Sequence, residues 1–307
     1  MHIGIIGLGR MGLNIAEHLL EQNHVVVAYN RSQEAVKRAA QAGAIPAYTI
    51  GELCLKLSAP RVIFIMVPAG QAVDDVLGQL KPELARGDII IDGGNSNYLD
   101  SVRRGKALAK AGIHFLDCGT SGGLSGARHG ACLTIGGEEA AYRKLIPLWK
   151  AIACEGGYLY CGKSGAGHYV KMVHNGIEYS LLQAYGEGFE LLHKAPYRLD
   201  LASISDVWTH GSVIRSWLLE LGAEKLKEDA KLAKVAGKIG GGETGGWTLQ
   251  EARRRHVKMP ALTAALSARR ASATHDSVSG RLIAYIRNGF GAHEMQMKKG
   301  RKTGKKE

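Results

Sequence analysis

The first twelve residues constrain the fold more than any other stretch. His2-Ile-Gly-Ile-Ile-Gly7 is a short apolar run that enters the turn Gly7-Leu-Gly9-Arg10-Met11-Gly12. An amphipathic helix over 11–22 and a β-branched strand from Val25 to Tyr29 follow, so the stretch reads as a β-α-β unit. A lone G-x-G-x-x-G is weak. One that leaves a strand and opens a helix is strong. Gly7 permits the tight turn, Gly9 lets a pyrophosphate approach the backbone, and Gly12 lets helix and strand pack closely. The phosphates then meet the positive end of the helix. The residues after the second strand select the cofactor. NAD sites usually place a carboxylate there, whereas this chain has Asn30-Arg31-Ser32. Arg31 can pair with a 2′-phosphate, so NADP is favoured and NAD is the alternative.

The alternation continues. Strands are expected at 62–67, 89–92 and 115–117, with helices over 32–42, 71–85 and 97–112, and 131–135 and 157–161 complete the sheet. Near-continuous apolar strands between helices imply a parallel sheet covered on both faces. Beyond 163 the strand signal fades. The chain is therefore read as an α/β Rossmann-type dinucleotide-binding domain over 1–163 followed by an all-α domain over 164–294. In the latter, one helix spans about 167–194 and Gly237 to Gly246 is a loop. Residues 295–307 are expected to form a basic, disordered tail.

The formal net charge of +12 owes much to that tail, because Lys298 to Glu307 hold six basic residues and one acidic. A solvated end is the favoured reading, and nucleic acid is not expected as a partner. The remaining excess suits anionic small molecules. No apolar run is long enough to span a bilayer and no signal peptide is visible, so neither a membrane nor export is expected. Five scattered cysteines without a C-x-x-C pair read as reduced thiols of a cytoplasmic protein, and no metal site is expected.

The stretch Gly165 to Tyr179 carries the chemistry. Lys171, Asn175 and Glu178 fall at i, i+4 and i+7, which stacks an amine, an amide and a carboxyl group on one helix face. Such a row is usually a solvated ion pair. Its Gly-rich start and apolar flanks (Val170, Met172, Val173, Ile177) favour a cleft instead.

Five segments together resemble the 6-phosphogluconate dehydrogenase family over residues 1–294. They are Val67-Pro68-Ala69-Gly-Gln-Ala-Val-Asp-Asp75, Asp92-Gly-Gly-Asn95-Ser96, Gly119-Thr-Ser121-Gly122-Gly123, the Lys171 helix and Arg287-Asn-Gly-Phe-Gly-Ala-His293. The length is similar to the family's short form. The resemblance implies oxidative decarboxylation of 6-phosphogluconate to ribulose 5-phosphate and carbon dioxide, with reduction of NAD(P). It makes Lys171 the general base, Glu178 the general acid and Asn175 a third catalytic residue. Val67, Pro68 and Ala69 fall to the cofactor, and Asn95 lies near both nicotinamide and substrate. Ser121, Gly122, Gly123, His174 and Asn175 hold the sugar acid. Tyr179, Arg269, Arg287 and His293 bind its phosphate, with the last two reaching a neighbouring subunit's site in a homodimer or homotetramer. Gly246 stands where the family usually has Lys or Arg, which removes one cationic phosphate contact. Lys238 is the substitute on offer.

The residue types permit that chemistry. A neutral Lys171, its pKa brought down from ~10.4, takes the alcohol's proton while the nicotinamide takes the hydride. The β-keto acid loses carbon dioxide once its ketone oxygen is stabilised, and Glu178 returns a proton to carbon. Two rival readings are a non-decarboxylating β-hydroxyacid dehydrogenase, which shares the Lys and Asn, and a catalytically silent dinucleotide-binding protein. Carbon dioxide release separates the first, and turnover of any kind the second.

Overall fold

Residues 1–298 are described by the structure, a computed structural model. The chain divides into two compact units, Met1–Val173 and a second that begins at His174.

In the first unit strands and helices run β1 (His2–Ile6), α1 (Arg10–Glu21), β2 (Val25–Tyr29), α2 (Gln33–Gln41), β3 (Ile45–Ala47), α3 (Ile50–Leu55), β4 (Val62–Ile65), α4 (Gln71–Leu80), β5 (Ile89–Asp92) and α5 (Tyr98–Ala109). They continue through β6 (His114–Ser121), α6 (Gly123–His129), β7 (Ala131–Gly137), α7 (Glu139–Lys144), α8 (Ile146–Ile152) and β8 (Ala153–Gly162). One sheet results, in the order β3-β2-β1-β4-β5-β6-β7-β8. Its strands alternate side chains between two apolar cores. Ile3, Ile5, Phe64 and Ile91 pack with Ile15 and Leu19 of α1. Ile63, Ile65 and Ile90 face the other way, against Leu53 and Leu77. β4 and β5 are buried along their whole length for this reason.

Two features depart from the sequence reading. The sheet is not wholly parallel, because β6 and β7 pair antiparallel. Only residues 122–130 join them, and a parallel crossover needs about a dozen residues or more. The edge strand β3 was also not anticipated. It carries Pro46, which an edge tolerates because one side of the strand needs no N–H donor.

Helix α9 (Ala166–His193) leaves the first unit and enters the second. It is followed by α10 (Leu201–Thr209), α11 (Trp217–Glu228), α12 (Glu243–Arg254), α13 (Pro260–Ala271) and α14 (Val278–Gly291). Asp200, Ser216 and Ser277 cap the starts of α10, α11 and α14 by accepting backbone N–H groups. Leu182, Phe189, Leu219, Leu226, Leu282 and Ile286 form the core of this unit. The Gly-rich loop is shorter than expected, since Glu243 to Gly246 already form the first turn of α12. The expectation of a disordered tail from 295 is also corrected at its start. Met297 bridges Val235, and Lys298 donates through its backbone to Lys234 O and through Nζ to Asp276. Residues 299–307, the rest of that tail, lie outside the described residues. Among the described residues no helix is long and apolar enough to cross a membrane.

Candidate active site

The glycine turn after β1 is built as its sequence demands. Gly7 has φ of +100°, and a Cβ there would lie 2.4 Å from Met66 O. A Cβ on Gly12 would lie 2.0 Å from Gly7 O. These two glycines are required by the protein's own backbone. Gly9 is not, since a Cβ there would meet nothing within 4 Å. Its missing side chain leaves room beside the N-terminus of α1 for a ligand, which fits a pyrophosphate. Arg10 and Met11 open that helix. Leu8 N donates to Asn30 Oδ1 at 3.1 Å, tying the turn to the end of β2. Asn30 is therefore occupied in holding the loop, while Arg31 and Ser32 are exposed. β1 lies between β2 and β4, where the strand order reverses and such folds open a ligand crevice.

Val67, Pro68 and Ala69 follow β4, and Asn95 follows β5. A residue that the sequence reading missed fastens these loops together. Arg104 of α5 is 2 % exposed. Its guanidinium donates to Asp74 Oδ1 at 2.9 Å, Gly70 O at 2.9 Å, Asp92 Oδ2 at 3.3 Å and Ser96 Oγ at 3.3 Å. Ser96 Oγ in turn donates to Asp92 Oδ2 at 2.8 Å. Arg104 and its exposed neighbour Arg103 hold the Asp74 carboxyl down to about 2. The only signal in sequence was an Arg on the inward side of a helix, which is ambiguous without its partners. Arg104→Leu should cost about 3–5 kcal/mol of stability, because it strands the buried Asp92 carboxylate without a cation. Urea unfolding of the two proteins checks this, and a loss below about 1 kcal/mol would count against the network.

The base is positioned by β6. Buried Asp117 accepts from Gly165 N at 2.6 Å and His168 N at 2.9 Å, and so caps the start of α9. Ser101 Oγ and His168 Nδ1 lie 2.7 Å apart and add a second tie. Gly119 lets the helix press in, since a Cβ there would lie 2.4 Å from Lys171 Cβ. Lys171 Nζ then donates to Ser121 Oγ at 2.6 Å. Gly122 and Gly123 carry φ of +108° and +59° as the chain turns into α6. The structure thus joins Lys171 to the Ser121-Gly122-Gly123 turn.

In the second unit, Asn175 is buried, and its Oδ1 lies 3.1 Å from His174 Nδ1. Glu178 Oε2 is 4.0 Å from the same nitrogen. Next in the chain, Tyr179 lies under Arg269, whose Cζ is 3.9 Å from the ring centroid. Arg287 is buried beside them. Burial first, then the charge of Arg269, lowers its pKa to about 10, while Tyr179 and Glu178 act the other way. Arg269 Nη1 is buried without a hydrogen-bond partner. The glycine loop wraps this pair. A Cβ on Gly242 would lie 3.3 Å from Arg269 Cδ, and one on Gly245 2.7 Å from the Tyr179 ring. Gly246 faces open space, so nothing in the packing demands a glycine there, and Lys238 is exposed.

Arg287 lies beside Arg269 and Tyr179 of its own chain. His293 lies past the end of α14, its ring edge-on to Phe290 at 5.5 Å. Among the described residues no group of three or more His, Cys, Asp or Glu side chains could hold a metal ion.

A glycine turn opening a doubly wound sheet, a lysine set against a Ser-Gly-Gly turn and a buried arginine pair define a nicotinamide-dinucleotide dehydrogenase for an anionic substrate. Residues 2–162 match the family model described as the NAD binding domain of 6-phosphogluconate dehydrogenase, and residues 167–284 match its C-terminal domain. The chain belongs to the 6-phosphogluconate dehydrogenase family. An NAD(+)-dependent, decarboxylating 6-phosphogluconate dehydrogenase of Haloferax volcanii is 48 % identical, covering 97 % of this chain and 99 % of its own. The solved Plasmodium falciparum 6-phosphogluconate dehydrogenase, studied with NADP+ and with 6-phosphogluconate, is 33 % identical with a TM-score of 0.80. It is the longer protein: the match covers 89 % of this chain and 62 % of that one. A 3-hydroxyisobutyrate dehydrogenase of Mycobacterium tuberculosis, at 23 % identity and a TM-score of 0.74 over 93 % of this chain and 99 % of its own, shares the fold.

Proposed function

We propose that this chain is a cytoplasmic enzyme that oxidises and decarboxylates 6-phosphogluconate to ribulose 5-phosphate and carbon dioxide. The observation that carries the substrate is the buried Arg269–Arg287 pair. Two guanidiniums side by side, one with an unpartnered N–H, are costly until an anion settles between them. A phosphate presents the oxygens that such a pair grips. Tyr179 and His293 complete that end, and Asn95, Ser121, Gly122, Gly123, His174 and Asn175 hold the sugar acid.

Gly7 to Gly12, Asn30 to Ser32, Val67 to Ala69 and Asn95 would hold the dinucleotide, whose nicotinamide supplies the hydride acceptor. Lys171 takes the hydroxyl proton, with Ser121 fixing its direction. The same ammonium then stabilises the ketone oxygen as carbon dioxide departs. Glu178, seven residues along α9 and so ~10 Å further up its axis, protonates the carbon left behind. The reading is tested with 6-phosphogluconate and gluconate, following reduced cofactor and carbon dioxide together. Cofactor reduction without carbon dioxide would hand the chain to the non-decarboxylating dehydrogenases. No turnover at all would favour the silent binding protein.

Cofactor preference is proposed as NADP, on the exposed Arg31 and the absence of a carboxylate at 30–32. The name of the Haloferax relative points to NAD, so the choice rests on experiment. Arg31→Ala should weaken NADP about 10–100-fold, the worth of a charged hydrogen bond, and leave NAD nearly unchanged. Equal losses for both cofactors would show that Arg31 does not read the 2′-phosphate. The assembly is proposed as a homodimer or homotetramer. In it Arg287 and His293 would reach a neighbouring subunit's site.

A further inference from the structure

His168 is a buried polar side chain that packing alone does not explain. It is 1 % exposed. Its Nδ1 lies 2.7 Å from Ser101 Oγ of α5, while its Nε2 is buried with no hydrogen-bond partner among the described residues. A ring nitrogen left bare in this way costs stability that an apolar side chain of similar size would not. Local rules broken like this concentrate at functional sites. His168 also stands three residues before Lys171, so the two share a face of α9 about one turn apart.

Around His168 the helices α5 and α9 form a close joint. A Cβ on Gly165 would lie 2.7 Å from Val102 Cγ2 and 3.0 Å from Tyr98 O, and one on Gly105 2.6 Å from Ser164 Oγ. Ser164 Oγ donates to Ser101 O at 3.2 Å, and the Tyr98 and Tyr169 rings meet edge to face at 5.0 Å. Ser101 carries the contact onward. Its hydroxyl donates to Asn97 O at 3.4 Å, and Asn97 caps α5 by accepting from Leu99 N at 2.9 Å. Asn97 ends the β5–α5 loop that holds Asn95, the residue proposed to face nicotinamide and substrate. A hydroxyl has one proton. With that proton on Asn97 O, the imidazole donates from Nδ1 and Nε2 is the bare nitrogen.

Two routes therefore fix Lys171. Asp117 and Gly119 set α9 against β6, which leads into the Ser121 turn. His168 sets the same turn of helix against α5, which begins at the Asn95 loop. Proton and hydride leave one H–C–O–H unit of the substrate, so base and nicotinamide must be held at a single separation. We propose that His168 is a positioning residue that, through Ser101 and Asn97, holds Lys171 in register with the Asn95 loop. Buried as it is, it acts through those partners and not by contact with substrate. A displacement of about 1 Å between reacting groups is worth on the order of 10²-fold in rate, so one linking side chain can decide the rate.

The inference rests on the proposed role of Lys171 as base. His168→Leu removes the link and the bare nitrogen together. Its melting temperature should equal or exceed the parent's, while kcat with 6-phosphogluconate falls about 10–100-fold. KM for the substrate and the dissociation constants of NADP and NAD should stay within about three-fold. His168→Asn, whose amide reaches the Nδ1 position, should recover most of the rate. His168→Gln, which reaches the Nε2 position, should not. Ser101→Ala should show the same loss of kcat, and the double variant should be no slower than the slower single. A purely structural histidine would do the reverse, lowering the melting temperature with kcat held. That result overturns the inference. So do losses that add in the double variant, or kcat within about two-fold of the parent in both His168→Leu and Ser101→Ala. Should His168→Leu not fold, Ser101→Ala, smaller by one oxygen, decides by the same readings. A parent that does not turn over 6-phosphogluconate removes the catalytic reading and this inference with it. A working parent with unimpaired variants removes the inference alone.

Discussion

Lys171→Ala should lose turnover by ~10²–10⁴-fold or more, the range expected when a general base is removed. Dinucleotide affinity should stay close to the parent's. The separation follows from where the side chain sits. Its Cβ packs on Gly119, and alanine keeps that contact, so α9 has no reason to shift. Asp117 still caps the helix through Gly165 and His168. The cofactor turn at Gly7 to Gly12 is built against Met66 and Asn30 and should be indifferent to its loss. Titration of each cofactor by fluorescence, beside steady-state rates, measures both halves. Lys171→Arg should be nearly as inactive, because a guanidinium keeps its proton. Ser121→Ala should cost less, since it removes only the acceptor that aims the amine at 2.6 Å. Turnover within a few-fold of the parent in Lys171→Ala would reject the assignment. A parallel loss of cofactor binding would mean that the lysine is structural.

Much of this arrangement was legible because its signals are local. Three glycines at fixed spacing after a strand specify a turn, and the turn specifies its ligand. The Lys171 row was legible because a helix stacks i, i+4 and i+7 whatever surrounds it. Pairing across long separations was harder to read. Arg104 looked like any helix arginine, because Asp74, Gly70, Asp92 and Ser96 become its partners only when the loops after β4 and β5 meet. Asp117 was likewise read only as the end of a strand, although it caps a helix that begins nearly fifty residues later. The antiparallel β6–β7 pair depended on connection length rather than on hydrophobic pattern.

Arg287→Ala should lower kcat/KM for 6-phosphogluconate by about 30-fold to several thousand-fold, the cost of truncating one member of a buried charge pair. Activity on gluconate, which has no phosphate, should change little, so the ratio between the two substrates collapses. The same substitution should not destabilise the protein without ligand. The Arg287 pKa is lowered to about 10 in the fold because burial and Arg269 both penalise its cation. A cationic group whose pKa falls on folding opposes folding at every pH below that value. Removing it at neutral pH therefore relieves a cost rather than losing a support, and inorganic phosphate, which supplies the missing anion, should stabilise the parent more than the variant. Rates with the two substrates and thermal melts with and without phosphate give the three readings. Mixing Lys171→Ala and Arg287→Ala subunits tells whose site the arginine serves: no recovered activity would mean that Arg287 works with the Lys171 of its own chain. Recovery in verified heterodimers would show that the arginine serves the neighbouring site instead. A uniform loss on both substrates would remove it from the phosphate end altogether.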